Sequence, residues 1–299
     1  MSVCVVYREL LEEGKHILAQ AEIVDAECDA WLLLEHVSGM NRAQFFLHQQ
    51  DTVPDELEAD YRGMLRKRAE HIPLQHLTHQ ACFMGYDFYV DERVLVPRQD
   101  TEVLAEEALH QLRNIRNPRI LDMCTGSGCL LLSLLMELPD ATGTGVDISE
   151  AALAVAERNR KNLELEKRAV LVQSDTFSGD YFQKNSGNIS LEYDMLISNP
   201  PYIRTEDIEG LMEEVRFHDP VLALDGKENG LYFYEKITEQ AGTYLKPGGW
   251  LMYEIGCDQG MDVSEIMKKN GFEQIEIKKD LAGLDRVVTG RKMQEEQNV

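Results

Sequence analysis

The spacing of apolar residues divides the chain near residue 80. In the first part apolar residues recur at helical spacing, and Ala30, Leu33, Leu34 and Val37 fall on one helix face. We predict helices there at 7–21, 25–38, 42–48 and 54–70. Asp25, Asn41 and Asp55 would be N-caps or first-turn acids, and Gly39 would end a helix.

This first part carries no nucleophile, phosphate-binding loop or set of metal ligands. A helical module without chemistry of its own is typically a recognition or packing unit. We therefore interpret residues 1–80 as a small helical bundle that serves either recognition or packing.

The pattern changes at residues 81–97, where aromatic and β-branched residues become frequent. Two apolar stretches, 82–90 and 94–96, flank a charged tripeptide, which predicts a β-hairpin linking the two parts. A helix follows, with Asp100 or Thr101 expected as its cap.

The second domain, residues 98–299, alternates strands with helices. Strands are predicted at 119–123, 144–148, 169–173, 193–198 and 250–255, helices at 129–137, 150–163, 231–244 and 261–270, and a last strand pair at 273–278 and 286–291. The alternation predicts an α/β fold with a parallel, doubly wound, Rossmann-like sheet. In such sheets ligands bind beyond the carboxyl ends of the strands, near the switch point of the strand order.

Composition narrows the possible partners. The 299-residue chain has a net charge of −23 and a pI near 4.7. Because duplex binding normally needs a basic stripe, the charge argues against direct contact with nucleic acid. The longest apolar run is far below the roughly 20 residues that span a bilayer, and no signal peptide is visible. We expect a monomeric cytoplasmic protein without a membrane partner.

Six cysteines support a reducing compartment. They form no CxxC pair and no metal-binding spacing, so no metal site is expected. Buried and inert is the expected state of each, at Cys4, Cys28, Cys82, Cys124, Cys129 and Cys257.

A glycine-containing stretch, residues 122–128, directly follows the first predicted strand of the second domain and opens a helix. Gly126 and Gly128 allow close approach of a ligand to the backbone, and the helix N-terminus presents free amides. The stretch lacks the full dinucleotide spacing and the lysine of a triphosphate loop. On its own it is as compatible with a structural turn as with a ligand site.

Two further strand ends carry acids. Asp147 ends the next strand, where a carboxylate can accept hydrogen bonds from both ribose hydroxyls of a nucleoside. Asp175 and Thr176 follow the third strand, where an adenine ring would lie. Each acid alone is equally compatible with a cap or a solvated loop, but acids at successive strand ends are unlikely to be a coincidence.

Asn199, Pro200, Pro201 and Tyr202 form the most informative tetrapeptide. Consecutive prolines fix the backbone and remove two donors, which leaves an asparagine side chain beside bare carbonyls. An amide oxygen and an adjacent carbonyl can accept both hydrogens of a planar NH2 group, while the tyrosine ring lies against its face. Such a clamp suits either a planar amide or an aromatic amine. A structural Pro-Pro turn is the alternative.

Together these motifs resemble the S-adenosylmethionine-dependent methyltransferases that modify planar nitrogens. More specifically, the chain is similar to the bacterial release factor glutamine N5-methyltransferases, the HemK/PrmC family, over nearly its whole length. The tetrapeptide is shared with adenine N6-methyltransferases, so the specificity comes from its combination with the helical domain. Further matching stretches lie at 73–78, 96–98, 101–102, 222–226, 229–231, 245–249 and 254–256, and at Gln259.

The resemblance implies a reaction and a set of roles. The family methylates the glutamine of the Gly-Gly-Gln loop of class I peptide chain release factors, and its helical domain, here residues 1–80, would help to recognise that substrate. Asn199, Pro200 and Tyr202 would be catalytic, with Pro201 beside them at the substrate. S-adenosylmethionine would contact Asn199 and residues of the other strand ends, namely Cys124, Thr125, Gly126, Ser127, Gly128, Asp147, Asp175 and Thr176.

Three positions depart from the family pattern. Cys124 replaces a common glycine, Thr176 a large apolar or aromatic residue, and Gln99 a proline. An adenine N6-methyltransferase acting on nucleic acid and a non-catalytic methyltransferase-fold scaffold remain the alternative functions.

Overall fold

A computed structural model describes residues 5–185 and 192–294, so Cys4 lies outside the described residues. The chain divides into two compact units, Met1–Gln80 with Met212–His218, and Ala81–Leu211 with Asp219–Val299. The main division falls after Gln80, next to the expected linker 81–97, and the assignment of 1–80 and 98–299 to separate domain functions stays a prediction. The hairpin region groups with the sheet, and Met212–His218 groups with the helices.

The helical unit contains α1 (Tyr7–Gln20), α2 (Ala26–Ser38), α3 (Arg42–His48), α4 (Asp55–Ala69) and the short α5 (Leu74–Thr78). The first four were predicted, whereas α5 was not, because five residues show no period. Asn41 caps α3 through its side chain, and Gly39 ends α2 in the left-handed region with φ +68°.

A buried tyrosine and a glycine fix the core of the helical unit. The Tyr61 hydroxyl donates a 2.9 Å hydrogen bond to the Ala30 carbonyl. A Cβ at Gly14 would come within 2.1 Å of that hydroxyl, so only glycine fits in α1 at this contact. Tyr61 belongs to a buried apolar cluster with leucines from α1, α2 and α4, including Leu10, Leu18, Leu33, Leu34 and Leu65.

Buried Arg68 attaches Met212–His218 to this unit. Its guanidinium pairs with Asp29 and with Glu214, each at 2.7 Å. His218 adds a 3.2 Å hydrogen bond to the Glu70 carbonyl. A segment far along the chain thus completes the helical unit.

The hairpin turns earlier than predicted. β1 (Ala81–Phe83) pairs antiparallel with β2 (Tyr86–Phe88), and residues 94–96 form no strand. Met84 and Gly85 both have positive φ, +52° and +79°, as a tight two-residue turn requires. The glycine, and not the charged tripeptide, was the turn signal.

The remaining elements build the sheet unit, apart from α10, which belongs to the helical unit. In chain order they are α6 (Gln99–Leu112), β3 (Arg119–Met123), α7 (Cys129–Glu137), β4 (Thr142–Asp147), α8 (Glu150–Asn162), β5 (Ala169–Gln173), α9 (Asp180–Asn185), β6 (Tyr193–Ser198), a 3₁₀ helix (Thr205–Gly210), α10 (Glu213–His218), α11 (Val221–Leu224), α12 (Tyr232–Tyr244), β7 (Leu245–Glu254), α13 (Gly260–Lys269), β8 (Phe272–Lys279) and β9 (Asp285–Lys292).

Seven strands form one mostly parallel sheet in the order β5-β4-β3-β6-β7-β9-β8, with β9 antiparallel to both neighbours. Helices α6, α7 and α8 cover one face, and α12 and α13 cover the other. The chain runs outward from β3 to β5 and then returns to β6 beside β3. The switch point therefore lies between the carboxyl ends of β3 and β6.

Two expectations about local structure were wrong. Helix α6 begins at Gln99 with Arg98 as its N-cap, so neither Asp100 nor Thr101 caps it. Exposure also contradicts uniformly buried cysteines, because Cys28, Cys82 and Cys257 are exposed. Cys82 alternates outward in β1, and Cys28 lies on the outer face of α2.

Among the described residues no helix is long and apolar enough to cross a membrane. In the same part of the chain no three His, Cys, Asp or Glu side chains are grouped to hold a metal ion.

Candidate active site

Residues 124–128, here called the glycine loop, leave β3 and enter α7. Cys124, Gly126 and Gly128 all have positive φ, between +56° and +80°. The Thr125 amide donates to the Val146 carbonyl at 2.9 Å, and its hydroxyl donates to the Asp122 carboxylate at 2.5 Å. Backbone geometry thus aims the loop and the start of α7 at the switch point.

The positive φ at position 124 is a conformation that favours glycine. A side chain in the left-handed region costs about 1–2 kcal/mol, which glycine avoids. Cys124 adopts φ +63° with its Cβ present. The substitution leaves the path of the loop intact and adds local strain.

Asp147 ties the glycine loop to the end of β4. One carboxylate oxygen accepts from the Gly126 amide and the other from the Ser149 amide, each at 2.9 Å. Burial raises the pKa of Asp147, and these amides oppose the rise. An ionised carboxylate has about four acceptor positions, so two bonds leave capacity for the hydroxyls of a ligand.

The carboxylate beyond β5 is engaged differently. Asp175 pairs with Lys236 at 2.7 and 2.8 Å, and Thr176 is buried with φ +54°. Both residues line the same cavity as the glycine loop. A cofactor role for Asp175 stays a prediction, and the ion pair favours contact through the backbone there.

Residues 199–202, the Asn-Pro-Pro-Tyr segment, follow β6 directly. Ser198 donates to the Met123 carbonyl at 2.5 Å, which holds the end of β6 against the end of β3. The Asn199 amide nitrogen lies 3.3 Å from the Thr101 hydroxyl of α6. Asparagine therefore stands at the switch point beside the glycine loop.

The cavity at this switch point collects most of the predicted site residues. It is lined by Cys124, Thr125, Gly126, Ser127, Asp147, Asp175, Thr176, Asn199 and Pro201, among others. Gly128, Pro200 and Tyr202 do not line it. The prediction that the tyrosine ring lies against the substrate is therefore not supported by this cavity and stays a prediction.

Glu254 and Gln259, which do not line the cavity, contact Tyr202. Its hydroxyl lies 3.5 Å from the Glu254 carboxylate, and its carbonyl accepts from the Gln259 amide at 3.0 Å. The same Gln259 nitrogen donates to the Gly230 carbonyl at 3.2 Å. A Cβ at Gly226 would come within 2.7 Å of the Tyr202 Cα, so only glycine fits at position 226.

From the sequence, Thr101 was predicted only as a possible helix cap, and neither Glu254 nor Gln259 had an individual role in the site. They lie in stretches that match the family, which was the only signal available, because each acts from a distant element. Glu254 is 2% exposed, and its burial raises its pKa to about 7, opposed by Thr101 and Arg286. Burial likewise raises the pKa of Asp122, whose carboxylate accepts from Thr125 of the glycine loop, to about 7.

Comparison with known proteins agrees with this geometry. The family model for the PrmC N-terminal domain matches residues 9–78, and the model for the methyltransferase small domain matches residues 99–218. Release factor glutamine methyltransferase from Agrobacterium fabrum is 38% identical over 95% of this chain and 96% of its own length. The Geobacter sulfurreducens protein of the same name is 37% identical over the same shares.

This chain belongs to the release factor glutamine methyltransferase family. The expected family is thus confirmed. Among solved structures, the hMettl16 catalytic domain in complex with the MAT2A 3'UTR hairpin 6 covers 72% of this chain and 78% of its own, at 14% identity and a TM-score of 0.57. At that identity the likeness shows a shared fold alone.

Membership of a methyltransferase family confirms S-adenosylmethionine as the expected cofactor, and the residues present fit it. A Cβ at Gly126 would meet nothing within 4 Å, so the backbone is open to close approach. Asp147 has acceptor capacity for a ribose, and Cys129 and Leu130 at the start of α7 line the same cavity. These residues of the methyltransferase unit are the ones that would hold the cofactor.

Proposed function

We propose that the chain methylates the side-chain amide nitrogen, N5, of the glutamine in the Gly-Gly-Gln loop of class I release factors. Support comes from relatives 37–38% identical over 95% of the chain that are named for this reaction. An intact Asn-Pro-Pro-Tyr segment at the switch point supports the same reaction. The observation that carries the proposal is Asn199 at the cavity beside the glycine loop.

The chemical difficulty lies in the nucleophile. An amide nitrogen is a poor nucleophile because its lone pair is delocalised into the carbonyl. The Asn199 side-chain oxygen and the Pro200 carbonyl would accept its two hydrogens and orient it. Positioning of this kind can lower a barrier by up to ~7–11 kcal/mol in favourable cases.

No strong general base is needed. When bound, S-adenosylmethionine supplies an electrophilic methyl group and departs as a neutral thioether. The substrate nitrogen becomes acidic only after it has gained the methyl group, so its proton can leave to water afterwards. Asn199 and Pro200 therefore bind and orient and need not titrate.

The partner and compartment complete the proposal. The helical unit would hold the release factor while its glutamine enters the cavity, and the enzyme would act as a monomer in the cytoplasm. A net charge of −23 supports a protein substrate without direct contact to nucleic acid.

Incubation with labelled S-adenosylmethionine and a release factor tests the function. We expect label on the wild-type factor and none on a factor whose loop glutamine is changed to alanine. Equal labelling of both factors would refute glutamine as the acceptor. Label on nucleic acid in place of protein would favour the adenine N6 alternative, whereas binding of cofactor without any transfer would favour the scaffold.

A further inference from the structure

We propose that Thr101 is a positioning residue that fixes which end of the Asn199 amide faces the substrate. The inference rests on the proposed function, because it assigns a role within methyl transfer to an amide. Thr101 lies on α6 and is separated from Asn199 by 98 positions in sequence. The fold brings the two side chains together.

The contact between Thr101 and Asn199 lies in the buried wall of the cavity. Thr101 is 4% exposed and lines the cavity together with Asn199. The Asn199 Nδ2 atom donates to the Thr101 Oγ1 atom at 3.3 Å. Glu254 is also buried, and its carboxylate interacts with the Thr101 hydroxyl.

The numbers of donors and acceptors on Thr101 and Glu254 then determine the orientation of the Asn199 side-chain amide. A threonine hydroxyl has one hydrogen, and a carboxylate can only accept once it is ionised, which for Glu254 means above its pKa of about 7. If that hydrogen is donated to Glu254, Thr101 Oγ1 presents only lone pairs to Asn199. Only the NH2 end of the asparagine can bind there, so its oxygen must be the end left for another partner.

This direction is the one that the chemistry requires. The substrate NH2 group must donate to the Asn199 oxygen, and a half-turn of the asparagine amide would place two donors against each other. An unfixed amide would populate both orientations, and only one is productive. Misplacement of a positioning group by about 1 Å can cost about 100-fold in rate.

Helix capping does not account for Thr101. Helix α6 begins at Gln99 with Arg98 as its N-cap, and no side chain caps that end. The hydroxyl of Thr101 instead accepts from Asn199 and interacts with Glu254.

Thr101→Val and Thr101→Ser test the proposal by initial rates at saturating cofactor and release factor. Valine keeps the shape and removes the hydroxyl, so we expect kcat to fall about 10- to 100-fold. Serine restores the hydroxyl and should bring kcat within about 3-fold of wild type. The KM for the release factor and the cofactor Kd should change less than about 3-fold, since binding energy is largely kept.

Thr238→Val is the matched control. Thr238 is 1% exposed, and its hydroxyl bonds to the Tyr253 hydroxyl at 3.0 Å, on the sheet face covered by α12. It should lose comparable stability and keep wild-type kcat. An unchanged kcat in Thr101→Val, or an equal fall in Thr238→Val, would overturn the proposal.

A second readout does not depend on activity. In protein labelled with 15N-asparagine, the Asn199 side-chain signals are those missing from Asn199→Ala. Their hydrogens should exchange more slowly in wild type and Thr101→Ser than in Thr101→Val, and equal exchange in all three would refute the orientation. If wild type methylates no release factor, the proposed function fails while this measurement still decides the amide contact.

Discussion

The glycine loop and the Asn-Pro-Pro-Tyr segment follow neighbouring parallel strands, yet different parts of the chain hold them in place. Positive φ values and backbone amides shape the glycine loop, with Asp122 and Asp147 close in sequence or on the adjacent strand. The Asn-Pro-Pro-Tyr segment relies on side chains from distant elements, namely Thr101, Glu254 and Gln259. The proposed cofactor loop is thus shaped by nearby residues, whereas the proposed substrate clamp depends on side chains from three distant elements.

The substitution Asn199→Ala should distinguish the roles of the two regions most clearly, because it should affect turnover and leave cofactor binding nearly unchanged. We expect turnover to fall by at least about 100-fold, because the acceptor that orients the substrate amide is lost. The cofactor Kd should stay within about 3-fold, since the glycine loop is untouched. Rates and calorimetric titration measure both, and exposed Asn162 changed to alanine is the control. Surviving turnover would show that the amide clamp is wrong.

Each region also buries one acid whose pKa is about 7, Glu254 behind the segment and Asp122 beneath the loop. A raised folded pKa means that the folded state keeps a proton which the unfolded chain releases. The stability that these two groups contribute is therefore fully present below their unfolded pKa values near 4 and is lost as pH rises through about 7. For Glu254 the shift corresponds to roughly 3 kcal/mol.

Glu254→Gln and Asp122→Asn should each flatten that pH dependence. Melting temperatures between pH 5 and pH 8, in steps wide enough to fit a slope, provide the measurement. The Gln variant should lose less stability than wild type as pH rises, and the double variant least. A wild-type protein that gains stability from pH 5 to pH 7 through these groups would contradict their raised pKa.

Asp147→Ala should reverse the pattern of Asn199→Ala. It removes the carboxylate that bonds the Gly126 amide, so we expect cofactor Kd to rise about 10- to 100-fold. Turnover at saturating cofactor should change far less. Titration calorimetry checks the affinity, with exposed Asp140 changed to alanine as control. An unchanged Kd would remove Asp147 from the cofactor site.

The smallest effect concerns the loop backbone itself. Cys124→Gly relieves a positive φ, whereas Cys124→Ala keeps the Cβ and removes the same thiol. The free energy of unfolding, measured by denaturant titration, should therefore be about 1 kcal/mol higher for the glycine variant than for the alanine variant. Equal stability of the two would mean that Cys124 carries no strain.

Much of the fold was predictable from the sequence because its signals are local. The predicted strands at 119–123, 169–173 and 193–198 match β3, β5 and β6, since buried parallel strands are continuous apolar runs between turn signals. The predicted position of the hairpin turn was wrong because the positive-φ turn at Gly85 was not recognised. The grouping of Met212–His218 with the helices depends on Arg68, a contact that no local pattern reveals.

The candidate site divides in the same way. Gly126, Asp147 and Asn199 stand at strand ends, so the topology alone brings them to one cavity. The roles of Thr101, Glu254 and Gln259 depend on side-chain distances that arise only when α6, β7 and the start of α13 pack together. Periodicity does not encode such distances.

The most direct test of the central claim is to locate the transferred methyl group on the release factor. Wild-type enzyme, labelled cofactor and tandem mass spectrometry of the modified peptide are required, with Asn199→Ala as the paired reaction. Our account predicts one methyl group on the amide nitrogen of the loop glutamine with wild type and almost none with the variant. A methyl group on any other atom, or equal methylation by both enzymes, would contradict it.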